Sequence, residues 1–149
     1  MYLSVEGRQG KTVIARLKPG YDLLQSLGQL LTEHGIQAGY IPVLLGGFKN
    51  IKLVSMTFGD TEDHPQDVEL IYREPLEYHG TGTIANVDGK PSLHIHLSAA
   101  QAGNKSLTGH FVSGEIALLT EVVIVELTDV ALTRKVDPEV YSLPLLSFE

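Results

Sequence analysis

The first part of the chain changes from an alternating pattern to a helical repeat. Over residues 11–17 apolar and polar side chains alternate with a period of two, which predicts a half-buried β-strand. Pro19-Gly20 then interrupts the chain, and five leucines recur at helical spacing: Leu23, Leu24, Leu27, Leu30 and Leu31. Asp22 before this stripe and His34-Gly35 after it are typical of the two ends of a helix. We therefore predict one strand followed by one main helix.

The rest of the chain has the pattern of a β-protein. We predict strands at residues 36–45, 51–58, 68–72, 76–87, 92–99, 107–112, 116–119 and 122–127, with a weaker strand at 130–134. Residues 46–50 predict a turn or a bulge, residues 59–67 an acidic surface loop, and Asp88-Gly89 a hairpin turn. One helix followed by about seven strands at hairpin spacing predicts an α+β fold with a mostly antiparallel sheet.

Length and composition are those of one ordinary domain. The 149 residues are 43% hydrophobic and 19% charged, and no shift in composition suggests a boundary. We therefore expect residues 1–149 to form a single domain. Cysteine is absent, which excludes disulfides, a thiolate nucleophile and cysteine-held metals. Any metal in this protein must be held by His, Asp or Glu.

Charge and hydropathy restrict the partners. The formal net charge is −7, and the basic residues form no run, which disfavours direct binding to duplex DNA. The N-terminus has no apolar segment of secretory length, and the longest apolar stretch, residues 38–48, is too short to span a bilayer. We predict a cytoplasmic protein that does not associate with membranes.

Three histidines make up the candidate chemistry. His94 and His96 are two residues apart in a predicted strand, so their side chains lie on one face about 6.5 Å apart along it. His110 follows a predicted loop at residues 100–106. Three imidazoles can hold one divalent ion, most readily zinc, and leave a fourth position for water or a small molecule. The alternative is that these are histidines on a solvated strand face.

The register of the next hairpin decides between the two interpretations. A turn symmetric about Gly103 places His96 opposite His110 and assembles the triad. A two-residue Gly103-Asn104 turn places Leu97 opposite His110 instead and separates the three side chains. Both registers are open from the sequence.

The other candidate residues have weaker patterns. His34 is interpreted as a helix end, His64 as a loop residue, and His79 as near the triad in sequence only. Glu121 interrupts an apolar stretch, either as an exposed strand residue or as a partner that orients a ligand histidine. Residues 80–85 suggest a phosphate loop but lack the following helix, and the chain has no hydrolase elbow, Walker loop or dinucleotide fingerprint.

Three groups of segments together resemble the PPC (plants-and-prokaryotes-conserved) domain family. They are residues 16–24 with 34–39, then Leu76-Glu77 with 82–85 and 88–91, then Leu93-His94-Ile95-His96 with 109–114. In this order they cover about residues 11–130 and leave a short C-terminal extension. Thr108-Gly109-His110 stands where the family usually has Gly-Gly-His.

This resemblance carries expectations of its own. It implies an α/β-type fold around an antiparallel sheet, a homotrimer, and metal ligation by His94, His96 and His110. Plant relatives join the domain to DNA-binding AT-hooks, but this sequence contains no Gly-Arg-Pro hook. The plant-type Gly-Arg-Phe-Glu-Ile-Leu segment would fall at residues 74–79, where only the Glu is retained.

We therefore expect a trimeric metal-binding protein with a regulatory or DNA-associated role. Its protein or small-molecule partner is not specified by the sequence. The alternative is an enzyme that uses the three-histidine metal to activate water or to polarise a carbonyl. We favour the role without catalysis, because no general base is evident.

Overall fold

One helix and eight strands make up the computed structural model, which describes residues 2–58, 65–101 and 105–148. The elements in chain order are β1 (Arg8–Leu17), α1 (Leu23–His34), β2 (Gly39–Phe58), β3 (Pro65–Tyr72), β4 (Leu76–Val87), β5 (Lys90–Gln101), β6 (Lys105–Thr128), β7 (Leu132–Asp137) and β8 (Leu143–Phe148). The predicted α+β class, with a mostly antiparallel sheet and the helix after the first strand, is confirmed.

The helix α1 begins and ends where its cap residues predict. The Asp22 side chain accepts a hydrogen bond from the Gln25 amide at 3.0 Å, which satisfies one free N–H of the first turn. Gly35 adopts the left-handed conformation, with φ 65°, directly after His34. The leucine stripe is buried against the sheet at Leu23, Leu27 and Leu31. Within the described residues, no helix has the length and apolar character needed to cross a membrane.

Six strands form the main sheet in the order β1-β6-β5-β4-β2-β3, and all of its pairings are antiparallel. An additional pairing of β6 with β2 closes β6, β5, β4 and β2 into a ring. β7 and β8 form a separate two-stranded sheet. The long β6 therefore joins the strands that carry the candidate site to the rest of the sheet.

One face of the sheet carries the core. Fully buried apolar side chains from β2, β5 and β6 pack there with the helix, among them Leu44, Ile95, Leu97 and Val122. The hydroxyl groups of Tyr78 and Thr120 lie 2.5 Å apart within this core, so each satisfies the other. Burial raises the pKa of Tyr78 to about 12, while the hydrogen bond to Thr120 opposes that rise.

Two long strands, β2 and β6, were each predicted as several shorter strands. Residues 36–45 and 51–58 lie largely in β2, and the predicted interruption at 46–50 is a bulge, since the register with β6 shifts on both sides of Phe48. The strands predicted at 107–112, 116–119 and 122–127 all belong to β6. The glycine and polar residues within β2 and β6 predict turns. The backbone stays extended there because its N–H and C=O groups form hydrogen bonds with the strands on both sides.

The C-terminal prediction was incomplete. The weak strand expected at 130–134 is β7, shifted to Leu132–Asp137, and its partner β8 was not predicted. The Asp88-Gly89 turn is confirmed, with φ values of 52° and 78°. His64 and residues 59–64 of the predicted acidic loop lie outside the described residues, whereas Pro65–Asp67 already belong to β3.

Candidate metal centre

The β5–β6 hairpin brings the three histidines together. His96 lies directly opposite His110, and the same register continues to Gln101 opposite Lys105. The register symmetric about Gly103 is therefore the correct one, and the alternative that placed Leu97 opposite His110 is wrong. His94 lies two residues before His96 on the same face of β5.

The distances within the triad suit one metal ion. One ring nitrogen from each of His94, His96 and His110 lies within 4.8 Å of the other two. The Nε2 atoms of His94 and His96 are 3.2 Å apart and share a hydrogen bond. A tetrahedral ion with bonds of about 2.1 Å separates its ligand atoms by about 3.4 Å, so small side-chain rotations complete the geometry. The three residues thus fit a divalent ion.

Packing on the other face of β5 holds the two neighbouring histidines in place. Ile95 and Leu97 alternate with them and are each 1% exposed in the core. One position farther along the hairpin, the Ser98 and Thr108 hydroxyls are 3.1 Å apart and tie β5 to β6. Because the strand is anchored on its buried side, the imidazoles of the solvent-facing side project from a rigid support.

Two glycines of β4 allow that strand to lie close beside the part of β5 that carries His94 and His96. A Cβ atom added at Gly82 would lie 2.7 Å from the His94 carbonyl oxygen, and one at Gly80 would lie 2.5 Å from that of His96. A side chain at either position would push β4 away from β5. The Gly80–Ala85 segment is thus the interior of a strand and not a phosphate loop, as its missing helix predicted.

The electrostatic environment favours the neutral form of two of the three histidines. The pKa of His94 is lowered to about 4, first by burial and then by the positive charges of His110, Arg134 and His96. The pKa of His110 is also lowered, chiefly by burial, while the carboxylate of Asp67 opposes the change. A neutral imidazole is the form that binds a metal ion, so both groups are ready to ligate at neutral pH.

Two residues near the site were missed by the sequence analysis. Arg134 of β7 donates hydrogen bonds to Ser92 and Thr83 beside His94, and Asp67 of β3 lies close enough to act on His110. No local sequence pattern indicates that either residue lies near the three histidines. Arg134 lies 40 positions after His94, and Asp67 was assigned to the acidic loop.

The other predicted candidates lie outside the triad. His79 is exposed on β4 opposite Ser98, on the face of the triad but one step beyond it. Glu121 is an exposed strand residue of β6 opposite Arg16. It lies 11 residues from His110 on the same strand, roughly 36 Å at about 3.3 Å per residue, which is too far for it to orient that histidine. His34 is the last residue of α1, as predicted.

Comparison with known proteins identifies the family. The family model of the Plants and Prokaryotes Conserved (PCC) domain matches residues 4–128. The chain belongs to this family, the one named PPC above. The matched region contains all three histidines and ends before β7, so Arg134 lies beyond it.

Solved structures and curated proteins share this similarity. A metal-containing protein of Archaeoglobus fulgidus is 27% identical with a TM-score of 0.84, covering 98% of this chain and 99% of that one. A Ralstonia eutropha protein provisionally named as DNA-binding is 26% identical with a TM-score of 0.76, covering 91% and 90%. The bifunctional protein GlmU of a Synechococcus strain is 29% identical over 124 residues, which is 83% of this chain and 18% of GlmU. The chain thus spans under a fifth of the length of the curated relatives that it matches.

Proposed function

We propose that this protein is a homotrimeric metal-binding module with a regulatory or DNA-associated role, in which His94, His96 and His110 hold one zinc ion. The observation that carries the proposal is the convergence of three ring nitrogens within 4.8 Å on a rigid hairpin. The metal content of the similar Archaeoglobus fulgidus protein supports it. Imidazole nitrogen is a borderline ligand that suits zinc, and zinc accepts three protein ligands with an open fourth position.

Metal analysis of histidine variants tests the site. We expect wild type to retain about one zinc per chain after dialysis, and His96→Ala to lose it, because two ligands alone make a poor site. His34→Ala is the distant control, and His79→Ala is the matched control, since His79 is also an exposed strand histidine on the same face. Equal zinc in wild type and His96→Ala would place the ion elsewhere.

An exposed apolar row supports assembly. Ile14 of β1, Val123 of β6 and Val43 of β2 lie side by side on the outer face of the sheet. Ile14 is 80% exposed, and Leu118 farther along β6 is 73% exposed. Such a row leaves apolar surface in water unless another chain covers it. In the proposed homotrimer, the row is part of the contact between copies.

Native mass spectrometry tests this assembly. We expect a species of about three times the 16.2 kDa chain mass at micromolar concentration. Ile14→Glu places a charge in the row and should shift the population toward monomer. Ile71→Glu is the matched control, because Ile71 is a strand isoleucine 54% exposed outside the row. A monomeric wild type would contradict the proposed trimer.

We propose that the protein exerts its regulatory role mainly through a protein or small-molecule partner, and less through direct contact with DNA. Four basic side chains already pair with carboxylates: Arg8 with Asp129, Lys11 with Glu126, Lys49 with Glu115 and Lys52 with Glu69. These pairs reduce the positive charge left for phosphates on a chain whose net charge is −7.

A second candidate function is catalysis, and Asp67 is the observation that favours it. A divalent ion at the triad would supply Lewis acidity at its open position. Asp67 adds a nearby carboxylate that could accept a proton, a group that the sequence alone did not reveal. Hydrolysis of 4-nitrophenyl acetate by zinc-loaded protein tests this candidate. A rate equal to that of Asp67→Asn at equal zinc content would exclude this base.

A further inference from the structure

Arg134 lies on the same face of the sheet as the triad, one step from His94. Its Nε donates to the Ser92 hydroxyl at 3.1 Å, and its Nη2 donates to the Thr83 hydroxyl at 3.0 Å and to the Thr83 carbonyl at 3.4 Å. Ser92 lies two residues before His94 on β5, and Thr83 lies directly opposite His94 on β4. Three hydrogen bonds therefore fix the guanidinium beside the metal position.

The guanidinium is half-buried and carries its charge without a carboxylate neighbour in the described part of the chain. The ion pairs found there involve Arg8, Lys11, Lys49 and Lys52, and none includes Arg134. Its hydrogen bonds go to neutral oxygens of Ser92 and Thr83. A partly desolvated cation held in this way favours an anion that neutralises it.

The separation of the two positive centres suits a small oxyanion. Neighbouring positions on one face of a strand are about 6.5 Å apart, so the guanidinium, which is bonded to Ser92, lies about one such step from His94. An oxyanion that bonds a metal at about 2.1 Å and accepts an N–H at about 2.9 Å spans roughly 6–7 Å. The two N–H groups of Arg134 Nη1 are not among these three hydrogen bonds and can donate to an oxygen of a carboxylate or phosphate group.

We propose that Arg134 and the metal held by His94, His96 and His110 form a binding site for a small oxyanion, a carboxylate or a phosphate group. One oxygen of the ligand occupies the open metal position, and another accepts hydrogen bonds from the Arg134 guanidinium. The inference rests on the proposed metal function and deepens it, because it assigns a ligand class to the open position. Arg134 acts here as a residue that determines specificity for anions.

Cobalt-loaded protein gives a direct readout, because the visible absorption of Co²⁺ changes when a ligand enters its coordination sphere. Wild type, Arg134→Gln and the control Arg8→Gln are loaded with Co²⁺, and bound cobalt is measured for each. Arg8 is a suitable control, because it is an exposed arginine paired with Asp129. Each protein is then titrated with sodium acetate, with inorganic phosphate, and with imidazole as a neutral ligand.

We expect acetate or phosphate to change the wild-type spectrum, and whichever binds more tightly identifies the ligand class. In Arg134→Gln the dissociation constant for that anion should rise about tenfold or more, as expected for the loss of a hydrogen bond to a charged group. Affinity for imidazole should remain unchanged in this variant, which a general structural defect would not allow. Arg8→Gln should behave like wild type.

Several results would overturn the proposal. Equal anion affinity in wild type and Arg134→Gln at equal cobalt content would do so, as would a wild-type spectrum that neither anion changes. In both cases the metal site itself would stand. A wild type that binds no cobalt would overturn the metal function as well. If Arg134→Gln does not fold, Arg134→Met takes its place, and an affinity equal to that of wild type would again refute the role of the guanidinium.

Discussion

If His94, His96 and His110 hold a metal ion as proposed, the affinity for that ion should depend on pH. A protonated imidazole cannot bind an ion, so each histidine that is protonated in the metal-free protein weakens the apparent affinity. A histidine with the ordinary pKa near 6.5 goes from about one-tenth to about nine-tenths protonated between pH 7.5 and pH 5.5, which weakens binding about tenfold. Three such histidines would weaken it about 1,000-fold.

The environment of the triad makes the expected loss smaller. The pKa of His94 is lowered to about 4, with burial as the main cause, so this side chain stays neutral over the whole interval. The pKa of His110 is also lowered, mainly by burial, so protons compete less for this ligand than for a free histidine. One factor of about ten is therefore absent and a second is reduced, so we expect the loss of zinc affinity to be at least about tenfold smaller than that of three free histidines.

Competition with a chromophoric chelator at pH 7.5, 6.5 and 5.5 measures this loss, after correction for protonation of the chelator. Circular dichroism at each pH checks that the fold is intact. A loss approaching 1,000-fold would refute the reasoning, because it would mean that all three imidazoles titrate as free side chains. His79→Ala should follow the wild-type curve, since His79 lies outside the triad.

Two further predictions concern the core and DNA. Tyr78→Phe should lower the free energy of unfolding by about 1–3 kcal/mol in urea denaturation, because the fully buried Thr120 hydroxyl loses its partner. Adding Thr120→Val should recover part of this loss. If the destabilisation of the double variant equals the sum of the two single destabilisations, the two hydroxyls do not interact. The protein should bind duplex DNA no more tightly than micromolar near physiological salt; sub-micromolar, sequence-specific binding in a salt titration would reveal an overlooked basic face.

Local patterns predicted the helix and the hairpins, and long-range pairing decided the rest of the fold. The caps at Asp22 and Gly35 depend on neighbouring residues, so α1 was predicted to the residue. β6 was predicted as three strands, because its glycine and polar positions resemble turns when viewed alone. The backbone there stays extended because β1, β5 and β2 pair with it, and no local signal reports such partners.

The candidate site was predictable where it depends on one hairpin. Same-face geometry of His94 and His96 follows from the period of a strand, and only the register to His110 needed the structure. Arg134 and Asp67 reach the site from β7 and β3, which are distant in the chain. Their position is set by the packing of separate elements, which residue spacing does not encode.

The pairing of β1 with β6 has a consequence for folding during synthesis on the ribosome. Leu17 lies opposite Thr120 and Arg8 opposite Thr128, so the partners are more than 100 residues apart. At about 5–20 residues per second, the first strand emerges roughly 5–20 s before its partner is made. Val13, which faces the core opposite Ile124, stays uncovered for that time. We therefore expect folding that is slow and that completes only after β6 has been made.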